Sequence, residues 1–293
     1  MKLRSLLFAP GDSPRKAEKA LAGEADGVIL DLEDSVALDG KVAAREAVAA
    51  LLRQVSHPNL AVPNLVVPNL VVRVNPPSTP WYLDDLAAVV PGKPGAVMLP
   101  KCSGPGDLAA LDHHLEALEA AARLPRGSIG VLILVTETAA SLQSMDYRGA
   151  TARLRALAFG AEDLSADLGV APRDASGAYS APVAAARAAT LLGAAAAGVP
   201  ALDTPWPDPR DPDGLTREAA AAARDGFAGK LCIHPAQIGP VNQAFTPSQE
   251  QVAWARRVLD GFAARPGAGV FALDGKMVDK PHLKLAERIL SLT

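Results

Sequence analysis

Five short apolar runs in this 293-residue chain each end abruptly in polar or charged residues. Each run is continuous rather than alternating and is followed by a helix-like segment, which is typical of parallel strands buried on both faces. Because ligands of parallel α/β folds bind at the carboxyl ends of the strands, these polar residues should meet at one edge. The runs and their polar ends are Val28–Leu30 with Asp31–Asp34, Leu70–Val72 with Arg73–Asn75, Val97–Leu99 with Pro100–Lys101, Gly130–Val135 with Thr136–Thr138, and Leu157–Gly160 with Ala161–Asp163.

Strand-like and helix-like segments alternate along most of the chain and make up about eight units, the count of a (β/α)8 TIM barrel. An open doubly wound sheet is the alternative, but eight comparable units without a break favour a closed barrel. We assign residues 1–264 to this barrel. A short tandem duplication, V-P-N-L-V at 62–66 and again at 67–71, is interpreted as a surface loop followed by the strand that leads to Arg73.

The segment 265–293 breaks the pattern. It begins with two glycines, continues with a predicted hairpin whose turn is Asp274–Gly275, and ends in a helix near 281–292. A barrel that already has eight units does not need this segment for closure. We therefore expect it to act as a lid or an oligomerisation tail.

Composition excludes several classes of function. Hydrophobic residues make up 49% and charged residues 21% of the chain, which is ordinary for a globular protein. A net charge of −3 gives no support for nucleic-acid binding, and no apolar run approaches the length of a membrane span. Residues 1–10 are too quickly interrupted for a secretory signal, and Cys102 and Cys232 have no metal or redox spacing. We therefore expect a cytoplasmic protein that binds a small molecule, with no nucleic acid and no membrane as partner.

Glu137 and Asp163 follow consecutive predicted strands and carry the oxygen ligands that Mg²⁺ takes, often only one or two carboxylates at a time. The alternative is that both acids only favour the start of the following helices. Three further acids, Asp31, Glu33 and Asp34, end another strand. Because successive side chains of an extended segment point in opposite directions, all three cannot bind one ion. Some of them should instead hold waters or basic partners around it.

Arg73 ends a nearly all-apolar strand, where an unpaired guanidinium would be costly. A bidentate clamp on a substrate carboxylate or enolate would explain it, and an ion pair with the Asp31–Asp34 acids is the alternative. Lys101 is interpreted as an electrostatic residue, because neighbouring carboxylates should raise its pKa and disfavour Schiff-base chemistry. His234 follows a strand and could contact a ligand.

The loop from Phe8 to Lys16 joins the first predicted strand to a helix that carries Arg15 and Lys19. Backbone N–H groups at a helix start, with cations nearby, favour phosphate binding. Walker and dinucleotide glycine patterns are absent from the sequence, and a solvated basic helix is the alternative.

Together these motifs resemble the citrate lyase β-subunit-like (CitE-like) branch of the HpcH/HpaI aldolase/citrate lyase family. The resemblance runs from end to end and in family order. The matching strings are Ser5–Asp12, Leu30–Val36, Val72–Asn75, Leu99–Lys101, Glu137–Ala139, Phe159–Leu164, Gly229–Pro235, Ala244–Ser248 and Asp274–Asp279.

The resemblance implies a (β/α)8 barrel that assembles as a homotrimer or a hexamer of trimers. It implies Mg²⁺ held by Glu137 and Asp163, and substrates that are acyl-CoA thioesters or 2-oxo acids. The implied reaction cleaves citryl-CoA or malyl-CoA into acetyl-CoA and a 2-oxo acid such as oxaloacetate or glyoxylate, and some relatives run as malate synthases. Arg73 would contact the substrate, and Asp279 would act as a base supplied by a neighbouring subunit.

The same resemblance places the coenzyme A phosphates near Phe8, Arg15 and Lys19. Some malyl-CoA lyases have an arginine where this chain has Ser13, so the phosphate contacts are assigned to Arg15 and Lys19. The remaining substrate-binding candidates are Glu137, Ile233 and His234, supported by Asp31, Glu33, Asp34 and Lys101 around the metal.

Three alternatives stay open. The protein could be the β subunit of a carrier-protein-dependent citrate lyase complex, or an aldolase that acts on free 2-oxo acids without coenzyme A. Asp279 precedes a helix that starts near Pro281, so it could be a helix cap instead of a base.

Overall fold

Eight parallel strands close into a barrel in chain order, and the last strand pairs with the first. This confirms the predicted (β/α)8 fold. The computed structural model describes residues 2–55, 69–175 and 177–292, so the first copy of the duplicated V-P-N-L-V lies outside the described residues. The strands are β1 (Ser5–Pro10), β2 (Gly27–Asp31), β3 (Leu70–Arg73), β4 (Ala96–Leu99), β5 (Gly130–Leu134), β6 (Leu154–Ala158), β7 (Ala201–Asp203) and β8 (Gly229–Cys232).

Helices follow the strands close to where the apolar periodicity predicted them. They are α1 (Pro14–Leu21), α2 (Lys41–Val55), α3 (Tyr82–Val89), α4 (Pro105–Ala121), α5 (Ala161–Leu168), α6 (Ala181–Ala197), α7 (Pro212–Asp225) and α8 (Ile238–Ala244). Short 3-10 helices cover Leu38–Gly40, Val90–Gly92, Ala140–Gln143 and Pro235–Gln237.

The connection after β5 differs from the prediction. The sequence indicated a helix-like segment after the run Gly130–Val135, and the structure has only the 3-10 helix Ala140–Gln143 there. The Ser141 hydroxyl donates a hydrogen bond to the Thr138 carbonyl, and the Ser141 N–H donates to the same carbonyl three residues back. Local bonding of this kind competes with α-helical hydrogen bonds, so the segment stays tight and short.

Inward-facing side chains fill the barrel with an apolar core. Ile29 on β2 and Val71 on β3 belong to it, together with Leu3, Leu6, Ala96, Met98, Leu132, Leu134, Ala156, Ala158, Leu202 and Leu231. Because side chains of a strand alternate with period two, the next inward positions on β2 and β3 are Asp31 and Arg73. The same alternation that builds the core therefore delivers charged groups to its carboxyl end.

A second compact unit begins at Gln243 and contains α9 (Gln249–Ala263), β9 (Val270–Leu273), β10 (Lys276–Asp279) and α10 (Lys280–Ser291). The boundary predicted at 264/265 therefore lies inside this unit, because the structure groups α9 with the tail and not with the barrel. The physical reason is a shared apolar cluster in which Ala255 and Val258 of α9 are buried with Val278 and Ala286.

The predicted hairpin is present, since β9 and β10 pair antiparallel around Asp274–Gly275. Both turn residues have positive φ, 51° and 76°, as a two-residue hairpin turn of the favoured type requires. Among the described residues, no helix combines the length and hydropathy needed to cross a bilayer.

Candidate active site

Asp31 and Arg73 form the base of a cluster of charges at the carboxyl end of the barrel. They are direct neighbours in the register of β2 and β3. Arg73 Nε and Nη2 donate to the two carboxylate oxygens of Asp31, each at 2.7 Å, and the guanidinium lies 4.7 Å from the ring centroid of Phe8. Burial alone would raise the pKa of Asp31, but Arg73 outweighs it and lowers that pKa. The ion pair that the sequence left as an alternative for Arg73 is thus present.

Glu33 lies in the loop after β2 and is 3% exposed. Its Oε2 is 2.9 Å from Arg73 Nη1 but has no hydrogen bond, whereas its Oε1 is 2.5 Å from Lys101 Nζ. Burial raises the pKa of Glu33, the neighbouring Asp34 adds to the rise, and Arg73 and Lys101 oppose it. Lys41 Nζ donates to the carbonyl oxygens of Leu32 and Glu33 and so fixes the backbone of this loop.

Lys101 connects the acids of several strands. Its Nζ also approaches Asp34 at 3.5 Å and Asp163 at 3.6 Å, and its backbone N–H donates to Glu137 Oε2. Burial would lower the pKa of Lys101, but the bond and charge of Glu33 raise it overall, as expected from the sequence. A lysine held protonated in this way is an electrostatic group and a poor nucleophile.

Glu137 is a strongly perturbed carboxyl group of the cluster. It is 3% exposed, and burial, followed by the charges of Glu33 and Asp163, raises its pKa to about 8. Gly160, just before α5, makes room for it, because a Cβ at that position would lie 2.5 Å from Glu137 Cγ. A buried carboxylate with this little compensation favours either a proton or a cation beside it.

Asp163 lies in the first turn of α5 and is about one-third exposed, on the wall of a cavity of about 440 Å³. Apolar, polar and charged residues line this cavity together. The lining residues are Phe8, Pro10, Asp31, Asp34, Ser35, Arg73, Leu134, Glu137, Phe159, Gly160, Ala161, Glu162, Asp163, Thr204, Pro205, Leu231 and Ile233.

Negative charge exceeds positive charge at this rim. Arg73 and Lys101 pair with acids here, and Lys41 lies on the acidic loop, so three cations stand against five carboxylates, namely Asp31, Glu33, Asp34, Glu137 and Asp163. No set of three or more His, Cys, Asp and Glu side chains is arranged to hold a metal ion in the part of the chain that the structure describes. Two carboxylates with room for water and substrate are nevertheless enough for Mg²⁺. The donor chemistry and the excess negative charge both fit a divalent cation.

Other predicted site residues lie outside this cluster. Arg15 and Lys19 are exposed on α1 and are not among the residues that line the cavity. Ile233 lines the cavity and is 45% exposed, whereas His234 uses Nδ1 to accept the Ala236 N–H and so caps the 3-10 helix Pro235–Gln237.

Asp279 belongs to the second unit, where it is the N-cap of α10. Its Oδ1 lies 2.6 Å from His282 Nδ1, and both side chains are partly exposed, at 33% and 40%. The capping geometry that the sequence left as an alternative is therefore present. A carboxylate this exposed is still free to meet a second molecule.

The sequence did not identify three contributors to the site. Gly160 was part of a quoted motif, but only the structure shows that it makes room for Glu137. Thr204 accepts the Ala161 N–H at 3.3 Å and so anchors the start of α5. Lys41 holds the acidic loop, and its only sequence signal was a lysine at the start of an otherwise apolar helix face.

Comparison with known proteins gives a consistent result. A family model described as HpcH/HpaI aldolase/citrate lyase matches residues 4–235. The chain is 34% identical to citrate lyase subunit beta of Escherichia coli K12, over 98% of this chain and 92% of that protein. It is 33% identical to (3S)-malyl-CoA thioesterase of Cereibacter sphaeroides, over 98% of this chain and 93% of that one.

The fold also matches a solved structure. CitE of Mycobacterium tuberculosis in complex with magnesium, acetoacetate and coenzyme A superposes with a TM-score of 0.76. The two sequences are 37% identical, and the match covers 98% of this chain and 97% of that one.

Proposed function

The chain belongs to the HpcH/HpaI aldolase/citrate lyase family, and we propose that it is a Mg²⁺-dependent carbon–carbon lyase acting on a 3-hydroxyacyl-CoA thioester. The substrate is of the citryl-CoA or malyl-CoA type, and the products are acetyl-CoA and a 2-oxo acid such as oxaloacetate or glyoxylate. Run in reverse, the same chemistry is a condensation of the malate synthase type.

The observation that carries this proposal is the excess of carboxylates around the cavity at the carboxyl ends of the strands. In our proposal Glu137 and Asp163 hold Mg²⁺, while Asp31, Glu33, Asp34 and Lys101 surround them. When bound, the ion supplies Lewis-acid polarisation of the oxo-acid carbonyl. CitE of M. tuberculosis was crystallised with magnesium and coenzyme A, which supports this choice of cofactor and substrate class.

Arg73 serves two purposes in this proposal. Its Nε and Nη2 stay on Asp31, which fixes the guanidinium plane, while Nη1 lies 2.9 Å from Glu33 Oε2 and Arg73 as a whole lines the cavity. There it stabilises the negative charge of the thioester enolate that forms when the carbon–carbon bond breaks. Leu134, Phe159 and Leu231 line the same cavity and give it an apolar wall beside these charges.

A base must accept the substrate hydroxyl proton as the carbonyl of the oxo acid forms. The electrons of the breaking bond pass to the thioester, whose enolate carbon then takes up a proton to give acetyl-CoA. We assign the base to Asp279 of a neighbouring copy in a homotrimer or a hexamer of trimers. Its 33% exposure leaves the carboxylate accessible to another molecule. Arg15, Lys19 and the Phe8 loop are assigned to the coenzyme A phosphates.

A product assay tests the reaction. Purified protein with Mg²⁺ is incubated separately with citryl-CoA, malyl-CoA and citramalyl-CoA, and the CoA esters and oxo acids are separated and quantified. We expect equal amounts of acetyl-CoA and oxo acid from at least one thioester, and little from Glu137→Gln. Glu116→Gln, an exposed site on α4, is the matched control and should be unaffected.

Other products of this assay identify other functions. Free CoA without any oxo acid would indicate a thioesterase, the activity in the name of the C. sphaeroides relative. Cleavage of citryl-carrier protein but of no CoA ester would indicate the β subunit of a citrate lyase complex. Cleavage of a free 4-hydroxy-2-oxo acid alone would indicate a CoA-independent aldolase.

The assignment of Asp279 to a neighbouring subunit is tested by complementation. Asp279→Asn and Glu137→Gln chains are co-expressed with different tags, and mixed oligomers are purified through both tags. If the base comes from another subunit, some sites combine an intact barrel with an intact tail, and activity returns. Inactive mixed oligomers would contradict the assignment, while each variant alone is the control.

A further inference from the structure

Lys101 has an unusual backbone conformation for its residue type. Its φ is 51°, in the left-handed region that a side chain with a Cβ rarely adopts. It follows β4 and Pro100, where a glycine would adopt the same conformation without strain. The exposed Lys93 shares this conformation, so what distinguishes Lys101 is its contacts with acidic side chains.

Lys101 reaches both carboxylates that we assign to Mg²⁺, and it does so through different atoms. Its backbone N–H donates to Glu137 Oε2, while its Nζ lies 3.6 Å from Asp163 Oδ1. The same Nζ lies 2.5 Å from Glu33 Oε1 and 3.5 Å from Asp34 Oδ1. The ammonium group therefore lies within the group of acids that carries the excess negative charge.

The two cations that pair with these acids differ in their freedom to move. Arg73 is 10% exposed at its side chain, and its planar fork is held by two bonds to Asp31. Lys101 is 31% exposed and presents a single point charge on a flexible four-carbon stem. Lys101 can leave Asp163 without breaking a bidentate pair, whereas Arg73 cannot leave Asp31 in this way.

We propose that the Lys101 ammonium is a resident counter-ion of the metal site, with which Mg²⁺ competes for Asp163. In the metal-free protein it neutralises Asp163 and Glu33 and keeps the acids together. When Mg²⁺ binds, the ammonium gives up Asp163 and stays with Glu33 and Asp34. This inference depends on the assignment of Glu137 and Asp163 in the proposed function.

Competition predicts opposite effects on affinity and stability. Lys101→Met keeps the length of the side chain but removes its charge. We expect the Kd for Mg²⁺ to fall about tenfold in this variant, the lower end of the effect that one nearby opposite charge has on ion binding to a carboxylate. We also expect a lower Tm without metal and a larger rise of Tm when Mg²⁺ is added.

The experiment is calorimetric titration of the full chain with MgCl₂, together with thermal unfolding with and without Mg²⁺. Lys93→Met is the matched control, because Lys93 is also an exposed left-handed lysine, with φ of 55°, at the other end of β4. It changes the net charge equally and should leave the Kd unchanged. Lys101→Arg retains the charge in a stiffer group, so Mg²⁺ should bind no more tightly than to the unmodified protein.

The outcomes separate this inference from the proposed function. Weaker or unchanged Mg²⁺ binding in Lys101→Met would overturn the competition, and so would a tenfold gain in Lys101→Arg. If either result occurs while Glu137→Gln loses Mg²⁺ binding, only the competition is refuted and the assignment of the metal site stands. Unchanged Mg²⁺ binding in Glu137→Gln would instead refute the metal site, and this inference with it. If Lys101→Met does not fold without metal, the change in the Kd for Mg²⁺ of Lys101→Arg still tests the competition.

Discussion

A buried glutamate lies beside each end of β5, Glu119 from helix α4 and Glu137 from the loop after the strand, and the two side chains have opposite environments. Glu119 lies at the amino end, where Arg153 Nη1 and Nη2 each donate to it at 2.8 Å. The N–H groups of Gly127 and Ile129 also donate to it. Glu137 lies at the carboxyl end, where the hydrogen bond that the structure gives it comes from the Lys101 N–H, with Glu33 and Asp163 close by.

The pKa values follow this difference. Burial alone would raise the pKa of Glu119, yet Arg153 and the N–H groups of Ile129 and Gly127 lower it to about 2. Burial and neighbouring acids raise the pKa of Glu137 to about 8. A fully compensated charge at the amino end of a barrel serves stability, whereas an uncompensated charge at the carboxyl end is available for chemistry.

The largest expected effect is a loss of stability at the amino end of the barrel, where Arg153 compensates the charge of Glu119. Arg153→Met leaves Glu119 buried and unpaired, and we expect a loss of about 3–5 kcal/mol in the free energy of unfolding. Mg²⁺ should not restore it, since the metal site lies at the other end of the barrel. Urea unfolding measures the loss. Arg126→Met, at an exposed pair with Glu116, should change stability by less than about 1 kcal/mol.

Arg73→Lys tests the carboxyl end of the barrel, where both stability and turnover should change. The charge is kept but the two parallel bonds to Asp31 are lost, so we expect stability to fall by about 1–3 kcal/mol. If Arg73 also contacts the substrate, kcat/KM should fall about 100-fold, because the cation is displaced from its position. Both quantities are measured on the same preparation. A loss of stability with near-normal turnover would identify Arg73 as a structural ion pair only.

The pH dependence of stability should have opposite signs at the two ends. The contribution of Glu119 is present above the ordinary glutamate value of 4.5 and is lost as the pH falls towards its folded pKa of about 2. The contribution of Glu137 is present below 4.5 and is lost as the pH rises to about 8, because its proton favours the metal-free folded state. Each slope is at most about 1.4 kcal/mol per pH unit.

The two slopes are separated by urea unfolding at a series of pH values without metal. The unmodified protein is compared with the Glu119→Gln and Glu137→Gln variants. The difference between the unmodified protein and each variant isolates one glutamate. Equal signs of the two differences would mean that the environments are not opposite.

The smallest expected effect is that of Glu137→Gln near neutral pH without metal. The substitution removes a carboxyl group whose charge the Lys101 N–H and Arg73 offset only in part, so stability should stay the same or rise by about 1 kcal/mol, which is roughly 2 °C in Tm. A clear loss of stability in thermal unfolding would show that Glu137 contributes to folding as Glu119 does.

Much of the fold was readable from the chain because its signals are local. Apolar runs of strand length, helix periodicity, capping residues such as Ser248 and the Asp274–Gly275 turn depend on neighbours a few residues apart. They predicted eight strand–helix units and the hairpin. The same signals could not show that α9 belongs with the tail, because its apolar face fits a barrel and a hairpin equally well.

The sequence alone determined which residue types end the strands, since charged groups after buried apolar runs are visible without a structure. Only the tertiary structure decided their partners. Closing the barrel aligns Asp31 with Arg73 and brings Lys101 to Glu33 and Asp163, pairs that are 42 or more residues apart along the chain. The charge balance of a buried site is a sum over such distant neighbours, and for that reason the low pKa of Glu119 and the high pKa of Glu137 follow from the fold.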